Sequence, residues 1–162
     1  MLELLAPAGN LDAVIAAVQN GADAVYMGFG DGFNARRSAD NFTRESFAKA
    51  VRYCHIRGCK VYVTLNTLVG DREMDAAAAL AQQASDAGAD AILVQDLGLA
   101  RVLRAALPDI PLHASTQMSI HNLAGVEAAA EMGITRAVLA RELSLEQIRF
   151  ISQHASIETE VF

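Results

Sequence analysis

The chain of 162 residues contains little cysteine, little proline and no tryptophan. Its two cysteines, Cys54 and Cys59, exclude a disulfide framework, and their spacing lacks both the CxxC pairs of a zinc site and the four thiolates that an iron–sulfur cluster normally needs. No apolar run approaches the ~20 residues of a membrane span, and "MLELLAPAGN" lacks the basic start and long apolar core of a signal peptide. We therefore expect a cytoplasmic protein whose own residues hold no metal and no cofactor.

Basic side chains are also in the minority. Thirteen Lys and Arg face nineteen Asp and Glu, which gives a net charge of −6. Such a surface does not attract polyanions, so duplex nucleic acid is not favoured as a partner. Apolar residues, in contrast, make up 52% of the chain. That is enough for one core, and we predict a single domain over residues 1–162.

A short module recurs along the chain and predicts an α/β fold. "GADA" at 21–24 and again at 88–91 precedes an apolar run, and "MGITRAVLA" at 132–140 is a looser third copy. In each copy a glycine ends a helix and a buried strand follows. The predicted strands cover 2–6, 23–28, 60–66, 90–95, 111–116, 136–141 and 157–162. The predicted helices cover 11–20, 43–57, 72–87, 97–107, 122–132 and 145–154, with Asp71 as the N-cap of the third and Ser144, paired with Gln147, as the N-cap of the last.

Strict strand–helix alternation indicates a parallel sheet, which leaves two architectures. One is an open doubly wound sheet. The other is a (β/α)₈ TIM-like barrel truncated after about seven strands, because a whole barrel takes ~250 residues. Polar residues follow the carboxyl ends of nearly every strand, and a barrel gathers all those ends into one ring, whereas an open sheet uses mainly one crevice. This pattern favours the barrel.

The stretch "LHASTQMSIHN" at 112–122 is unusually polar for a buried strand. Alternation places His113, Ser115 and Gln117 on one side, and it aligns Asn66 and Glu160 with the corresponding sides of their own strands. If these sides face inward, the barrel has a polar lumen that can bind a substrate. The alternative is a buried polar network that only fixes the register of the strands.

Two further places offer charged groups for a ligand. Arg141 and Glu142 end the sixth strand, and because strand neighbours face opposite ways, at most one of them is expected to point into the ring. Either could instead form a salt bridge at the helix entry. The long connection 29–42 carries Asn34, Arg36 and Arg37. Arg36 over the ring would suit an anionic substrate, although adjacent arginines are usually solvated.

A serine hydrolase site would use Ser115 with His113 or His121. His113 and Ser115 lie two apart on one strand, so their side chains can be neighbours. No nucleophile elbow such as GxSxG surrounds the serine. The sequence therefore disfavours this chemistry.

Taken in order, eight blocks of the sequence resemble peptidase family U32, the collagenase-like family. They are "ELLAPAGN", "GADAVYMG", "FNAR", "KVYVTLNTLV", "VQDLGL", "LHASTQMSIHN", "RAVLARELS" and the terminal "EVF". The resemblance implies a TIM-like barrel in the N-terminal part of the family. It also implies one of two activities: the inherited label of protease, or oxygen-independent hydroxylation of ribosomal RNA, transfer RNA or ubiquinone with an iron–sulfur cluster.

The family signature resembles ExFxxGxxC, and Glu160 to Phe162 match only its first three positions. Its cysteines would lie beyond this chain, so no cluster ligand is carried over to Cys54 or Cys59. We expect this chain to be the N-terminal barrel part of a hydroxylation factor with a small-molecule or RNA substrate and a 4Fe–4S cluster in the full-length parent. The alternatives are a collagenase-like peptidase and a substrate-binding module. Catalytic residues stay unassigned, and the candidate substrate-binding residues are Asn34, Arg36, Asn66, His113, Ser115, Gln117, Arg141, Glu142 and Glu160. We also expect self-association through open sheet edges.

Overall fold

The computed structural model describes residues 2–30, 32–35 and 41–162. Within them, seven strands form one parallel sheet, and each strand pairs with the next one along the chain. The strands are β1 (Leu5–Pro7), β2 (Ala24–Met27), β3 (Lys60–Leu65), β4 (Ala91–Val94), β5 (Leu112–Ala114), β6 (Arg136–Val138) and β7 (Glu158–Glu160).

In the described ranges, six helices connect these strands. They are α1 (Leu11–Gln19), α2 (Arg44–His55), α3 (Met74–Asp86), α4 (Leu97–Ala106), α5 (Leu123–Glu131) and α6 (Leu145–His154), with a 3₁₀ turn at Thr116–Met118. A doubly wound sheet reverses its strand order at a switch point, and this sheet does not. The predicted barrel-like architecture is therefore confirmed.

Contacts between groups near its two edges show that the sheet is curled. Glu3, just ahead of β1, pairs with Arg136 at the start of β6. The ring of Tyr26 on β2 contacts that of Phe162, two residues beyond β7, with centroids 6.1 Å apart. A whole barrel of this class has eight strands, and the described residues supply seven in a curled half-barrel.

The two faces of the sheet differ in chemistry. The face toward the helices is apolar and buries side chains such as Val25, Val63, Ile92 and Leu112. The inner face carries a small apolar cluster around Tyr62, Leu93 and Val138. Polar groups lie above and below this cluster, so the lumen is divided into an upper and a lower part.

Helix ends largely follow the predicted signals. Ser144 and Gln147 form a complete capping box at the start of α6. The glycines that close the three repeated modules all have positive φ, between +80° and +97°, as a helix C-terminus requires (Gly21, Gly88 and Gly133). Asp71 was the wrong cap for α3: Glu73 precedes Met74 there and makes no side-chain capping bond. The Glu73 carboxylate instead accepts a hydrogen bond from the Gly70 N–H at 2.9 Å.

The connection after β2 is anchored at its base. Phe29 and Phe42 form an isolated parallel bridge, and the Asn34 Nδ2 donates to Asn41 Oδ1 at 3.0 Å. Gly28 lies directly beneath this pair, so a Cβ at that position would collide with both amide groups.

Replacing Gly28 with alanine is expected to lower the free energy of unfolding by about 1–3 kcal/mol, because the methyl group must displace the buried Asn34 amide. Urea denaturation followed by circular dichroism measures the loss. Gly9→Ala is the matched control, since a Cβ there meets nothing within 4 Å. Equal effects of the two substitutions would contradict the close approach.

Candidate substrate-binding site

A cavity of about 690 Å³ opens at the carboxyl ends of the strands. We call it the upper cavity. Five of the candidate residues line it together: Asn66, Ser115, Gln117, Arg141 and Glu142. The strand-end pattern thus places these side chains around one space, as the barrel predicts. Their assignment as substrate-binding residues stays a prediction.

Asn66 forms hydrogen bonds to two segments of the upper cavity wall. Its Oδ1 accepts the Ala35 N–H at 3.1 Å, and its Nδ2 donates to Ser115 Oγ at 3.1 Å. The carboxamide is therefore oriented by both partners, and it joins the connection after β2 to the end of β5. One donor hydrogen and one lone pair remain for a ligand.

Two strands are shorter than predicted, and this changes which side chains reach the cavity. β5 ends at Ala114, so Gln117 lies in the 3₁₀ turn rather than on a strand. β6 ends at Val138, so Arg141 and Glu142 lie in the following turn. Strand alternation no longer applies to the pair, and both side chains line the upper cavity. The expectation that at most one of them points inward was wrong.

His113 lies away from the upper cavity. It lines a second space of about 750 Å³ at the amino ends of the strands, the lower cavity, together with Tyr62 and Arg136. Its ring packs edge-on against Tyr62 at 4.9 Å, and its Nδ1 has no hydrogen-bond partner. Burial, with the charge of Arg136 beside it, lowers the pKa of His113 to about 3. The imidazole is neutral and is not placed to act on a ligand in the upper cavity.

The lower part of the lumen contains a charge network around Arg136. The guanidinium donates to Glu3 at 2.5 Å and to Glu158 at 2.6 and 2.8 Å, and Tyr62 also donates to Glu3, at 2.9 Å. Burial alone would raise the pKa of Glu3, but the hydrogen bonds from Arg136 and Tyr62 outweigh it and lower that pKa. Arg136 thus connects β6 and β7 to the segment before β1.

Glu160 occupies the lumen beside this network without joining it fully. Its nearest carboxylate oxygen is 3.5 Å from Arg136 Nη1, and neither oxygen makes a hydrogen bond. Burial raises the pKa of Glu160, against the opposing charge of Arg136. Glu160 is a candidate residue that does not line the upper cavity.

The two candidates on the long connection have different outcomes. Asn34 is buried and hydrogen-bonded to Asn41, so it supports the connection rather than the cavity wall. Arg36, with Arg37, lies outside the described residues. Of the residues described in this segment, Ala35 lines the upper cavity.

The described residues do not form a hydrolase site around Ser115. Its Oγ accepts hydrogen bonds from Asn66 Nδ2 and from the Gln117 N–H. His113 lies in the other cavity, and the Nδ1 of His121 pairs with the Ser119 carbonyl at 3.0 Å. An activated serine needs a base within hydrogen-bond reach, and neither histidine bonds to this hydroxyl.

The two thiols do not fit a metal cluster. Cys54 and Cys59 are both buried, and burial raises the pKa of Cys54 to about 12 and raises that of Cys59. Cysteine binds a metal as the thiolate, and the described residues contain no group of three His, Cys, Asp or Glu side chains that could hold a metal ion. The described residues of this chain therefore do not fit an iron–sulfur cluster.

Sequence reasoning missed Arg136 and Glu3, the central pair of the lumen network. Arg136 begins an otherwise apolar strand, and Glu3 stands alone among the leucines of "MLELLAP". A single charge in a buried strand must find a partner. That rule could have indicated both residues, although not that they would pair with each other across the barrel.

The comparisons with known proteins agree with this architecture. The sequence profile of peptidase family U32 matches residues 9–162. The structure superimposes on the U32 peptidase Mk0906 with a TM-score of 0.79 at 17% identity, over 99% of this chain and 68% of that one. The half-barrel with its cavity at the strand ends is thus a barrel of the U32 type. The chain belongs to peptidase family U32.

Two curated relatives carry names that refer to RNA. The 23S rRNA 5-hydroxycytidine C2501 synthase of Escherichia coli is 42% identical over 99% of this chain, which spans 24% of that protein. The tRNA hydroxylation protein P1 of Bacillus subtilis is 40% identical over 99% of this chain, which spans 38% of it. A relative named collagenase, from Porphyromonas gingivalis, is 35% identical over 93% of this chain and 36% of its own length. The chain therefore spans between 24% and 38% of the length of these relatives.

No helix in the described part of the chain is long and apolar enough to cross a membrane.

Proposed function

We propose that the protein containing this chain is a cytoplasmic RNA-hydroxylation factor, and that the upper cavity binds its substrate. The observation that carries the proposal is the uncharged hydrogen-bonding wall of that cavity, formed by Asn66, Ser115 and Gln117. The relatives quoted above at 42% and 40% identity have names that refer to rRNA and tRNA. These names support RNA as the substrate class.

Peptide hydrolysis is the less favoured alternative. Ser115 accepts two hydrogen bonds and has no base beside it, and the thiols of Cys54 and Cys59 are buried with raised pKa values. A substrate-binding module without chemistry of its own fits the cavity equally well, but it does not account for the relatives that are named as a synthase and as hydroxylation proteins.

Deleting the gene in its host tests the proposal. Mass spectrometry of digested ribosomal and transfer RNA should show the loss of a nucleoside one oxygen heavier than its unmodified form. The intact gene should restore it, and a version carrying both Gln117→Ala and Arg141→Ala should not. The matched control carries Gln153→Ala and Arg101→Ala, two exposed positions outside the cavity. Unchanged RNA, or cleavage of denatured collagen by the purified protein, would overturn the proposal.

We further propose that the 162-residue chain self-associates through its sheet edges. β1 and β7 each pair with one strand only in the described sheet, and Leu4 and Val161 beside them are 57% and 52% exposed. Unpaired edges with apolar neighbours favour edge-to-edge pairing. Light scattering across a dilution series should show a mass that rises with concentration, and Val161→Lys should reduce it. A monomer at all concentrations would mean that the curled sheet protects its own edges.

A further inference from the structure

The wall of the upper cavity contains an aromatic ring with a cation over it. The Arg141 guanidinium carbon is 5.4 Å from the centroid of the Phe162 ring, and Tyr26 supports that ring edge-on at an interplanar angle of 75°. All three residues line the cavity. Planar rings stack on such aromatic and guanidinium surfaces.

Hydrogen-bonding groups line the same space. Gln117 is exposed and its carboxamide makes no hydrogen bond within the described part of the chain, while Asn66 is held in one orientation by Ala35 and Ser115. A carboxamide presents one donor edge and one acceptor, which is the arrangement that pairs with the edge of a nucleobase. The oriented amide of Asn66 and the amide of Gln117 on the same cavity wall can form hydrogen bonds with the edge of a planar heterocycle.

The charge of the cavity selects against a highly charged ligand. Among the described lining residues, Arg141 and Glu142 have formal charges of opposite sign, which offset each other. A ligand with several carboxylates or phosphates would need a surplus of cations, and the chain as a whole carries −6. A neutral ring with a single phosphate does not need such a surplus of cations.

We propose that the upper cavity binds one unstacked nucleobase, packed against Phe162 and Arg141 and read by Gln117. This inference rests on the proposed function, and it names the part of the RNA that enters the barrel. A volume of about 690 Å³ lies within the usual range for small-ligand pockets. The acidic chain is compatible with this ligand, because base flipping brings an uncharged base into the pocket while the charged backbone stays outside it.

The test titrates the 162-residue chain with a single-stranded RNA pentanucleotide that has cytidine at its centre. The comparison ligand has an abasic central nucleotide and the same phosphates. Nuclear magnetic resonance shifts give the affinity of each. We expect binding of the intact pentanucleotide to be about 10-fold tighter than that of the abasic one, as the loss of one stacked base implies. We also expect resonances of residues 115–119 to shift only with the intact ligand.

Two substitutions locate the contact. Phe162→Leu should lower the affinity for the intact pentanucleotide about 10-fold and leave the abasic ligand unchanged. Phe150→Leu is the matched control, because Phe150 is 54% exposed but does not line the cavity. Gln117→Ala should reduce the preference for cytidine over other central bases, whereas Gln153→Ala should not.

Three results would overturn the inference: equal affinity for the intact and abasic ligands, no binding of either, or displacement of the intact ligand by citrate at equal concentration. These outcomes are distinguishable from failure of the proposed function. If the host loses its hydroxylated nucleoside on gene deletion while the chain shows no base-dependent binding, the proposed function stands and the nucleobase site does not.

Discussion

Replacing Arg136 with methionine is expected to lower the free energy of unfolding by about 3 kcal/mol or more. Removing one partner of a buried ion pair leaves the other charge without compensation. Arg136 is 9% exposed in its side chain, and it bonds to Glu3 and Glu158 and lies near Glu160. Methionine keeps much of the volume, so the loss measures the charge rather than a cavity. Urea denaturation at neutral pH gives the value.

Two companion variants make this result specific. Arg101→Met alters an exposed arginine on α4 and should change the stability by no more than about 0.5 kcal/mol. Arg136→Lys should recover only part of the loss, because an ammonium group cannot reproduce the fork that contacts two carboxylates at once. A loss for Arg136→Met no larger than for Arg101→Met would show that the lumen network does not stabilise the curled sheet.

The sequence predicted the fold because its signals were local and repeated. Every predicted strand and helix is present, since each is bounded by a cap, a glycine or an apolar run that acts within a few residues. The errors lie at the strand ends. β5 and β6 end two or three residues early, and whether a chain turns at Ala114 or at Thr116 depends on tertiary packing rather than on the alternation of polar and apolar residues.

The candidate site was predictable only in part, for a related reason. Asn66, Ser115 and Gln117 follow strand ends, and the ends of parallel strands meet in any barrel, so topology alone brings these residues together. The separation of His113 from Ser115 depends on their height in the lumen, where Tyr62, Leu93 and Val138 divide the interior. Pairing of Glu3 with Arg136 joins positions 133 residues apart. No short-range pattern predicts such a contact.

Replacing Glu160 with methionine is expected to raise the free energy of unfolding by about 1 kcal/mol at pH 7. The carboxylate is buried and accepts no hydrogen bond, and exchanging an unsatisfied buried ionic group for an apolar one of similar size is often stabilising. Arg136 keeps Glu3 and Glu158 as partners in the variant, so no uncompensated charge is created.

The pH dependence of this gain follows from the raised pKa of Glu160, which is due first to burial. Its contribution to stability is fully present below the unfolded value near 4.5 and is lost as the pH rises through the folded pKa. The difference between Glu160→Met and the parent should therefore be small near pH 4 and grow toward neutral pH. The pKa of Glu3 is lowered, so its contribution to stability changes with pH in the opposite direction. Glu3 is present in both proteins, and its contribution cancels when their stabilities are compared at each pH.

Glu158→Met is the control, and it is expected to lower the free energy of unfolding instead of raising it. Glu158 is on the same strand and beside the same arginine, but it accepts two hydrogen bonds from Arg136. Its side chain is 68% exposed, so solvent screening limits the expected loss to about 1 kcal/mol. If Glu160→Met instead destabilised the protein at pH 7 as Glu158→Met does, the attraction of Arg136 for Glu160 would exceed the cost of burial. Glu160 would then belong to the structural network around Arg136.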